Sequence, residues 1–306
     1  MNKKIMIIVN PAAAGAKVKK IWPEKSIAFK KEFTELDEVY TKEAGDAVEI
    51  ARKAVAKNYD YIMSVGGDGT VNEIINGMLF LDNKNPGTKL IIYPLGTGSD
   101  VSRALNLPHD PKKIIDLIRR NNSKSIKVVK ATFYNHRQQK EKRYFLNIAD
   151  CGMGAEVAKK LNESKKYIDG SLSYLVKIFQ TLVAYQNVEM KIEADNNLLY
   201  QGKLNTAIIA HGNYFGGGIK IAPEADIFSN NLNLILLKDF SKLGIILNLI
   251  KAYQGNHLNH PLVESYQVKK IKITAAEKVE LELDGESIGS LDAEFEISKK
   301  EISILL

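Results

Sequence analysis

The chain has 306 residues, 45% of them apolar, with 43 basic against 36 acidic residues and a formal charge of +7. That supports a sizeable core, in one large domain or two ordinary ones, and suits an anionic partner without selecting one. The single cysteine, Cys151, excludes an intramolecular disulfide and suits a reducing cytosol. The first apolar stretch, Ile5 to Val9, is too short for a signal-peptide core and stops at Asn10-Pro11, so it reads as a strand and a loop. No apolar run approaches the ~18 residues needed to cross a bilayer.

In chain order, KIMIIVN (4–10) reads as a strand buried on both faces. KKEFTELDE (30–38) reads as a solvated helix end. GDAVEIARKAVAKN (45–58) has helical spacing at Ala47, Ile50, Ala51, Ala54 and Val55. DYIMSV (60–65) and KLIIYPL (89–95) are further buried strands, and DPKKIIDLIRR (110–120) opens a helix with Pro111 just inside it. This alternation predicts an α/β fold with a doubly wound parallel sheet. RRNNSKS (119–125) marks a junction. Beyond it strand-like segments follow one another, with a hairpin turn at DNN (195–197) and helices at 171–186 and 241–254. A second, β-rich antiparallel domain is expected there. In the later helix, Leu243, Ile246, Leu247 and Ile250 share one face. That face is read as core-facing, with docking on a bilayer as the alternative.

One stretch, YIMSVGGDGTVNEIINGML (61–79), has more glycine than a turn needs. Val71, Ile74, Ile75, Met78 and Leu79 form one buried helix face, and Thr70 with Glu73 fits a capping box, so a helix is expected to start at Thr70. The glycines then deliver unpaired N–H groups and the positive end of a helix dipole, a place that binds phosphate. Glycine allows close approach and positive φ. Asp68 would repel phosphate unless a divalent cation such as Mg²⁺ lies between them. The plainer alternative is a turn whose aspartate bonds the backbone.

Two further loops repeat this logic. YPLGTGSDVSRALNLP (93–108) carries Gly96, Thr97, Gly98 and Asp100 after the next strand. VNPAAAGAK (9–17) carries Asn10, Gly15 and, as a phosphate partner, Lys17. All three would lie at the C-terminal edge of one parallel sheet, where ligands bind. Neither a Walker P-loop nor a Rossmann glycine motif is present.

GGDGTVNEIINGM resembles the signature of the diacylglycerol kinase catalytic-domain family, which includes soluble bacterial lipid kinases and the sphingosine and ceramide kinases. VNPAAAG, YTKEAGDA (40–47), PLGTGSD, GMGAEV (152–157), GSLSYL (170–175), HGNYFGGGIKIAPEA (211–225) and LDGE (283–286) are similar to family segments in the expected order, across essentially the whole chain. The resemblance implies an NAD kinase/diacylglycerol kinase-like fold of two domains with a cleft. One is an ATP-binding domain over 1–125, completed by about 292–306. The other is a β-rich lipid-substrate domain over 126–291. It implies nucleotide contacts at Asn10, Pro11, Gly15, Thr41, Gly66, Gly67, Asp68, Gly69, Thr70, Val71, Asn72 and Thr97. It also implies Mg²⁺ organised through water by Asp68 and Asp100, and Asp284 as catalytic base with Glu286 beside it. The family usually has Asn where Ser99 stands; serine can still cap a helix. Ser229-Asn230 replaces the Asp-Gly turn near a structural Mg²⁺ site, so the resemblance does not carry that site over.

A kinase must place an acceptor hydroxyl in line with the γ-phosphate and shield the spreading charge. A carboxylate near the acceptor takes the proton. In VELELDGE, Val279, Leu281 and Leu283 share a face and Asp284-Gly285 ends the strand; without the resemblance, a hairpin is the plainer reading. Gly216, Gly217 and Gly218 form either a loop over the cleft or a wide turn. His257 and His260 lack a zinc pattern and receive no role. The leading expectation is an ATP- and Mg²⁺-dependent lipid kinase, most simply turning diacylglycerol into phosphatidic acid. An NAD kinase-like phosphotransferase and an inactive nucleotide-binding scaffold are the alternatives. The lipid would be met at the inner membrane surface by a cytoplasmic protein. A homodimer is compatible, and nucleic acid is not expected.

Overall fold

The continuous apolar runs near the N-terminus fold as parallel strands because each is covered on both sides by helices that its neighbours in sequence supply. The computed structural model describes residues 3–80, 87–163 and 170–306. The chain divides into two compact units, residues 1–127 with 299–306, and residues 128–298.

In the first unit, β1 (Ile5–Val9), α1 (Ala13–Glu32), β2 (Leu36–Tyr40), α2 (Asp46–Ala56), β3 (Tyr61–Gly66), α3 (Asp68–Met78) and β4 (Lys89–Pro94) alternate. Two more helices follow, α4 (Asp100–Ala104) and α5 (Pro111–Arg120). β1 lies between β2 and β3, and β3 is followed by β4, all parallel, with Ile5 opposite Leu36 and Tyr61, and Tyr61 opposite Lys89. The end of the last strand, β14 (Glu286–Leu305), adds Ile304 beside Leu90 in the same direction. Trp22 and Phe29 of α1, Tyr93 of β4 and Ile114 and Ile118 of α5 fill one side of this sheet, with the Trp22 and Tyr93 rings edge to face at 5.4 Å. Asp110 caps α5 by accepting from Lys112 N at 2.7 Å, ahead of Pro111 in the first turn.

Two local expectations are corrected here. Residues 30–38 are not one helix end: α1 stops at Glu32 and residues 36–40 are the edge strand β2. α3 begins at Asp68, with Gly67 extended as its cap, so Thr70 lies inside the first turn and the Thr70–Glu73 capping box does not form. Glu73 instead accepts from Gly45 N (2.9 Å) and Ala47 N (3.1 Å), capping α2. The pattern suited either helix, and the nearer N-terminus in space took the carboxylate.

The second unit holds β5 (Ser123–Asn135, most of it), β6 (Lys140–Phe145), β7 (Ile148–Gly152), α6 (Met153–Asn162), α7 (Gly170–Ala184), β8 (Val188–Ala194), β9 (Asn197–Ala210) and β10 (Leu232–Lys238). α8 (Lys242–Gln254), β11 (Val263–Val268), β12 (Lys270–Ala275), β13 (Glu280–Leu283) and the first part of β14 complete it. The strands run β11-β10-β9-β7-β13-β14, while β8 joins β9 to β12, which returns to β14. All these pairs are antiparallel. Their inward residues, among them Phe145, Leu204, Leu234, Ile273 and Phe295, make one core. The turn between β8 and β9 uses Asp195 and Asn196, both left-handed, as the DNN segment predicts. The three glycines form a closed turn rather than a long lid: Phe215 and Ile219 exchange backbone hydrogen bonds of 3.0 and 2.9 Å across them. The Ser229-Asn230 stretch closes on itself too, Ser229 N donating to Asp226 O and Ser229 Oγ accepting from Asn231 N. The expected core face of α8 is also corrected. Leu243, Ile246, Leu247 and Ile250 are exposed, by 63, 37, 65 and 70%, and Ile245, Leu249 and Ala252 pack inward. α8 is apolar on both faces, so periodicity finds the helix without choosing its inner side.

Candidate functional site

The loops after β1, β2, β3 and β4 all leave the C-terminal edge of the parallel sheet. The first is tied to the third: Asn10 Nδ2 donates to Thr70 Oγ1 at 3.1 Å, while Asn10 Oδ1 accepts from Ala12 N at 3.0 Å. Beyond Pro11, residues Ala14, Gly15 and Ala16 are left-handed in succession (φ 51, 63 and 66°). Such a run stores of the order of 1–2 kcal/mol for each alanine and aims successive N–H groups to one side. Lys17 follows on an exposed turn of α1. Thr41 sits at the same edge, its N–H donating to Val9 O at 2.9 Å.

The third loop is built on contact between backbones. A Cβ on Gly96 would lie 2.3 Å from Gly67 Cα and 3.0 Å from Gly67 N. The glycines are there so that the loops after β3 and β4 can touch. Positive φ is not the reason, because Gly67 has φ −102° and neither Gly66 nor Gly69 is left-handed. The first intrahelical bond of α3 runs from Val71 N to Gly67 O at 3.2 Å. The N–H groups of Asp68, Gly69 and Thr70 therefore come before the ladder, at the positive end of the helix. Val71 and Asn72 lie deeper: Val71 is buried, and Asn72 accepts from Asn76 Nδ2. Thr97 is exposed at the tip of the β4 loop.

The Asp68 carboxylate reaches across to α4. It accepts from Asp100 N at 2.9 Å and from Val101 N at 3.1 Å, one bond on each oxygen. It thus supplies the cap that Ser99 does not: Ser99 is left-handed (φ 49°) and its hydroxyl turns back to Gly96 O. Asp100 pairs with Arg103. Asp68 thus has its oxygens on backbone N–H groups and Asp100 is ion-paired, so neither stands as a direct metal ligand. Among the described residues no group of three His, Cys, Asp or Glu side chains converges as a metal site.

In the second unit Asp284 and Gly285 are left-handed at the tip of the β13–β14 hairpin, where Leu283 pairs with Glu286. The Asp284 carboxylate accepts three backbone N–H groups, from Leu146 (3.2 Å), Asn147 (3.0 Å) and Ile148 (3.1 Å). These are the residues where β6 breaks from β7. Asp284 thus stands at a hairpin tip and organises a strand start. Glu286 pairs with Arg143 at 2.6 Å.

Beneath this hairpin lies an acid the sequence reading missed. Glu282 is 3% exposed, stands opposite Asp150 across β13 and β7, and accepts from Gly285 N at 2.6 Å. Burial, then the Asp150 charge, pushes its carboxyl well above the usual range. Burial likewise raises Asp150 to about 6, against the hydrogen bond from Thr206 Oγ1 (2.6 Å). β13 lies between β7 and β14 with every residue buried, so its Glu-Leu-Glu alternation, which by itself suggests a solvent-facing acidic side, carries no signal of the buried acid.

Asp150 also borders a cavity walled by apolar side chains, including Val157, Ile178, Ile219, Phe240 and Ile245. His257 borders it as well, with Nε2 on Ile221 O at 2.9 Å and burial pushing its pKa down.

With this geometry in view, similarity to known proteins is decisive. The family described as "Diacylglycerol kinase catalytic domain" matches residues 4–131, and "YegS C-terminal NAD kinase beta sandwich-like domain" matches residues 147–306. The chain belongs to the diacylglycerol kinase catalytic-domain family. Diacylglycerol kinases of Staphylococcus carnosus and Staphylococcus aureus are each 31% identical over 306 residues, covering 99% of this chain and 95% and 92% of theirs. A diacylglycerol kinase structure from Bacillus anthracis superposes with a TM-score of 0.71 at 22% identity, over 99% of this chain and 96% of that one. An Archaeoglobus fulgidus NAD kinase solved in complex with ATP shares the fold at 15% identity, with a TM-score of 0.54 over 99% of this chain and 93% of that one. Membership of the diacylglycerol kinase family makes the chain a kinase, a lipid-kinase-like phosphotransferase, on the α/β and β-rich fold expected. Among the described residues no helix is long and apolar enough to cross a membrane.

Proposed function

We propose that this kinase transfers the γ-phosphate of ATP to a lipid hydroxyl, most simply that of diacylglycerol, giving phosphatidic acid. The observation that carries the reading is the start of α3. There the N–H groups of Asp68, Gly69 and Thr70 precede the helix ladder, beside a Gly67–Gly96 contact that leaves no side chain in the way. Those N–H groups hold the phosphates, with Asn10, Pro11, Gly15, Lys17, Thr41, Gly66, Gly67 and Thr97 as further nucleotide contacts. Val71 and Asn72 contribute by fixing the turn. Mg²⁺, oriented through water by Asp68 and Asp100, would neutralise charge on the transferring phosphoryl group.

Asp284 accepts the proton of the attacking hydroxyl, and its three backbone donors fix its direction. Glu286, held by Arg143, stands beside it. Proton removal by a positioned base contributes typically about 10²–10⁴-fold. The apolar cavity of the second unit offers room for part of an acyl chain. The protein meets its lipid from the cytoplasmic side of the membrane. The test is a radiolabelled-ATP assay against a panel of membrane lipids and NAD, with Mg²⁺ or EDTA. The expected result is a Mg²⁺-dependent lipid product, greatest with diacylglycerol. Turnover of NAD without lipid product would replace the reading, and equal activity in EDTA would remove the ion.

A further inference from the structure

α8 is apolar toward the core and apolar toward solvent. At about 100° per residue, its exposed Ile246, Ile250, Leu243 and Leu247 occupy one continuous arc. Lys242 lies at one margin of that arc and Lys251 at the other, both exposed, and α8 contains no acidic residue. α7 adds a second stripe, with Val176, Phe179 and Val183 exposed by 39, 45 and 74% at i, i+3 and i+7. The two helices are joined where Lys242 Nζ donates to Val183 O. Single exposed apolar side chains need no explanation, but two exposed stripes on helices tied to one another do.

We propose that the outward faces of α7 and α8 dock the protein on an anionic lipid bilayer. An apolar arc edged by lysines matches the layered chemistry of a membrane surface, with acyl chains beneath and phosphates above. A net charge of +7 favours the same partner. The inner face of α8, through Ile245, Leu249 and Ala252, borders the apolar cavity. The same helix therefore lies between solvent and the space assigned to an acyl chain. Choosing a bilayer over a protein partner rests on the lipid-kinase reading above.

The experiment is co-sedimentation of the full chain with vesicles of phosphatidylglycerol and phosphatidylcholine, or of phosphatidylcholine alone. The unmutated protein is expected to pellet with the anionic vesicles. Leu247→Glu/Ile250→Glu should weaken association at least tenfold and Lys251→Glu several-fold. Both should keep the thermal midpoint and the turnover of a short-chain, water-soluble diacylglycerol. Leu247→Trp gives a readout independent of any loss, since the chain's single tryptophan, Trp22, is fully buried. Its emission should shift to the blue on anionic vesicles alone. Unchanged pelleting of the double variant, or no shift from the new tryptophan, overturns the proposal. So does a dimer that the double variant dissolves, which would make a second copy the occupant. Vesicle association without any lipid phosphorylation would sink the kinase reading and leave this surface standing.

Discussion

Asp284→Asn and Asp284→Ala are expected to part company. Alanine removes the acceptor of three N–H groups at a buried strand start. Each donor left unsatisfied costs about 1–3 kcal/mol. The left-handed backbone at φ 49° adds about 1 kcal/mol that aspartate and asparagine tolerate better. Because the three donors lie together, their costs do not simply add, and about 3–6 kcal/mol is expected, a large share of a typical domain's ~5–15 kcal/mol. Asparagine keeps Oδ1, which serves Asn147 and Ile148, and turns an amide toward Leu146 N. It should cost about 1–2 kcal/mol. The asparagine variant should thus stay folded yet lose about 10²–10⁴-fold in lipid phosphorylation. Urea unfolding and the radiolabelled assay on the same preparations give both numbers. An asparagine variant with full activity refutes the base assignment, and an alanine variant as stable as the unmutated chain refutes the hydrogen-bond account.

Gly96→Ala should abolish nucleotide binding while leaving the second unit folded, because its Cβ would lie 2.3 Å from Gly67 Cα; equilibrium titration with ATP checks this. Asp68→Ala should lower stability by about 1–2 kcal/mol through loss of the α4 cap, measured by urea unfolding without nucleotide; no change would place the carboxylate elsewhere. Asp150 is raised in the fold from 3.8 to about 6, so its contribution is fully present below about pH 4 and lost as pH rises through 6. Asp150→Asn should therefore gain stability relative to the unmutated chain as pH rises from about 4 to 6 and hold that gain above it, by of the order of 3 kcal/mol at most. Thermal unfolding from pH 4 to 7 reads the difference, and curves that stay parallel between pH 4 and 6 contradict it.

The parallel strands were legible because a strand buried on both faces leaves an unbroken apolar run, as Ile5 to Val9 and Leu90 to Tyr93 do. The three glycine-bearing loops were legible for the same reason, since each interrupts such a run. What the glycines do was not. Gly67 and Gly96 meet only when β3 and β4 are side by side, and spacing within one loop cannot encode contact with another. The plainer reading of Asp68, an aspartate bonding backbone, has its geometry here, but the backbone lies 32 residues away at Asp100. Glu73 left its expected partner for α2 by the same logic of proximity in space. α8 shows another limit: Leu243 and Ile245 are equally apolar, and only the packing against Phe240 and Ile178 selects which turns inward. Glu282 went unnoticed because the alternation in β13 suggests a solvent-facing acidic side, and it is the placement between β7 and β14 that buries it.

The central claim is that the start of α3 receives the phosphates of the nucleotide. A crystal soaked in ADP and magnesium measures this directly. The account predicts the diphosphate against residues 66–70, within hydrogen-bond reach of the Asp68, Gly69 and Thr70 N–H groups. A diphosphate bound away from that loop would contradict it.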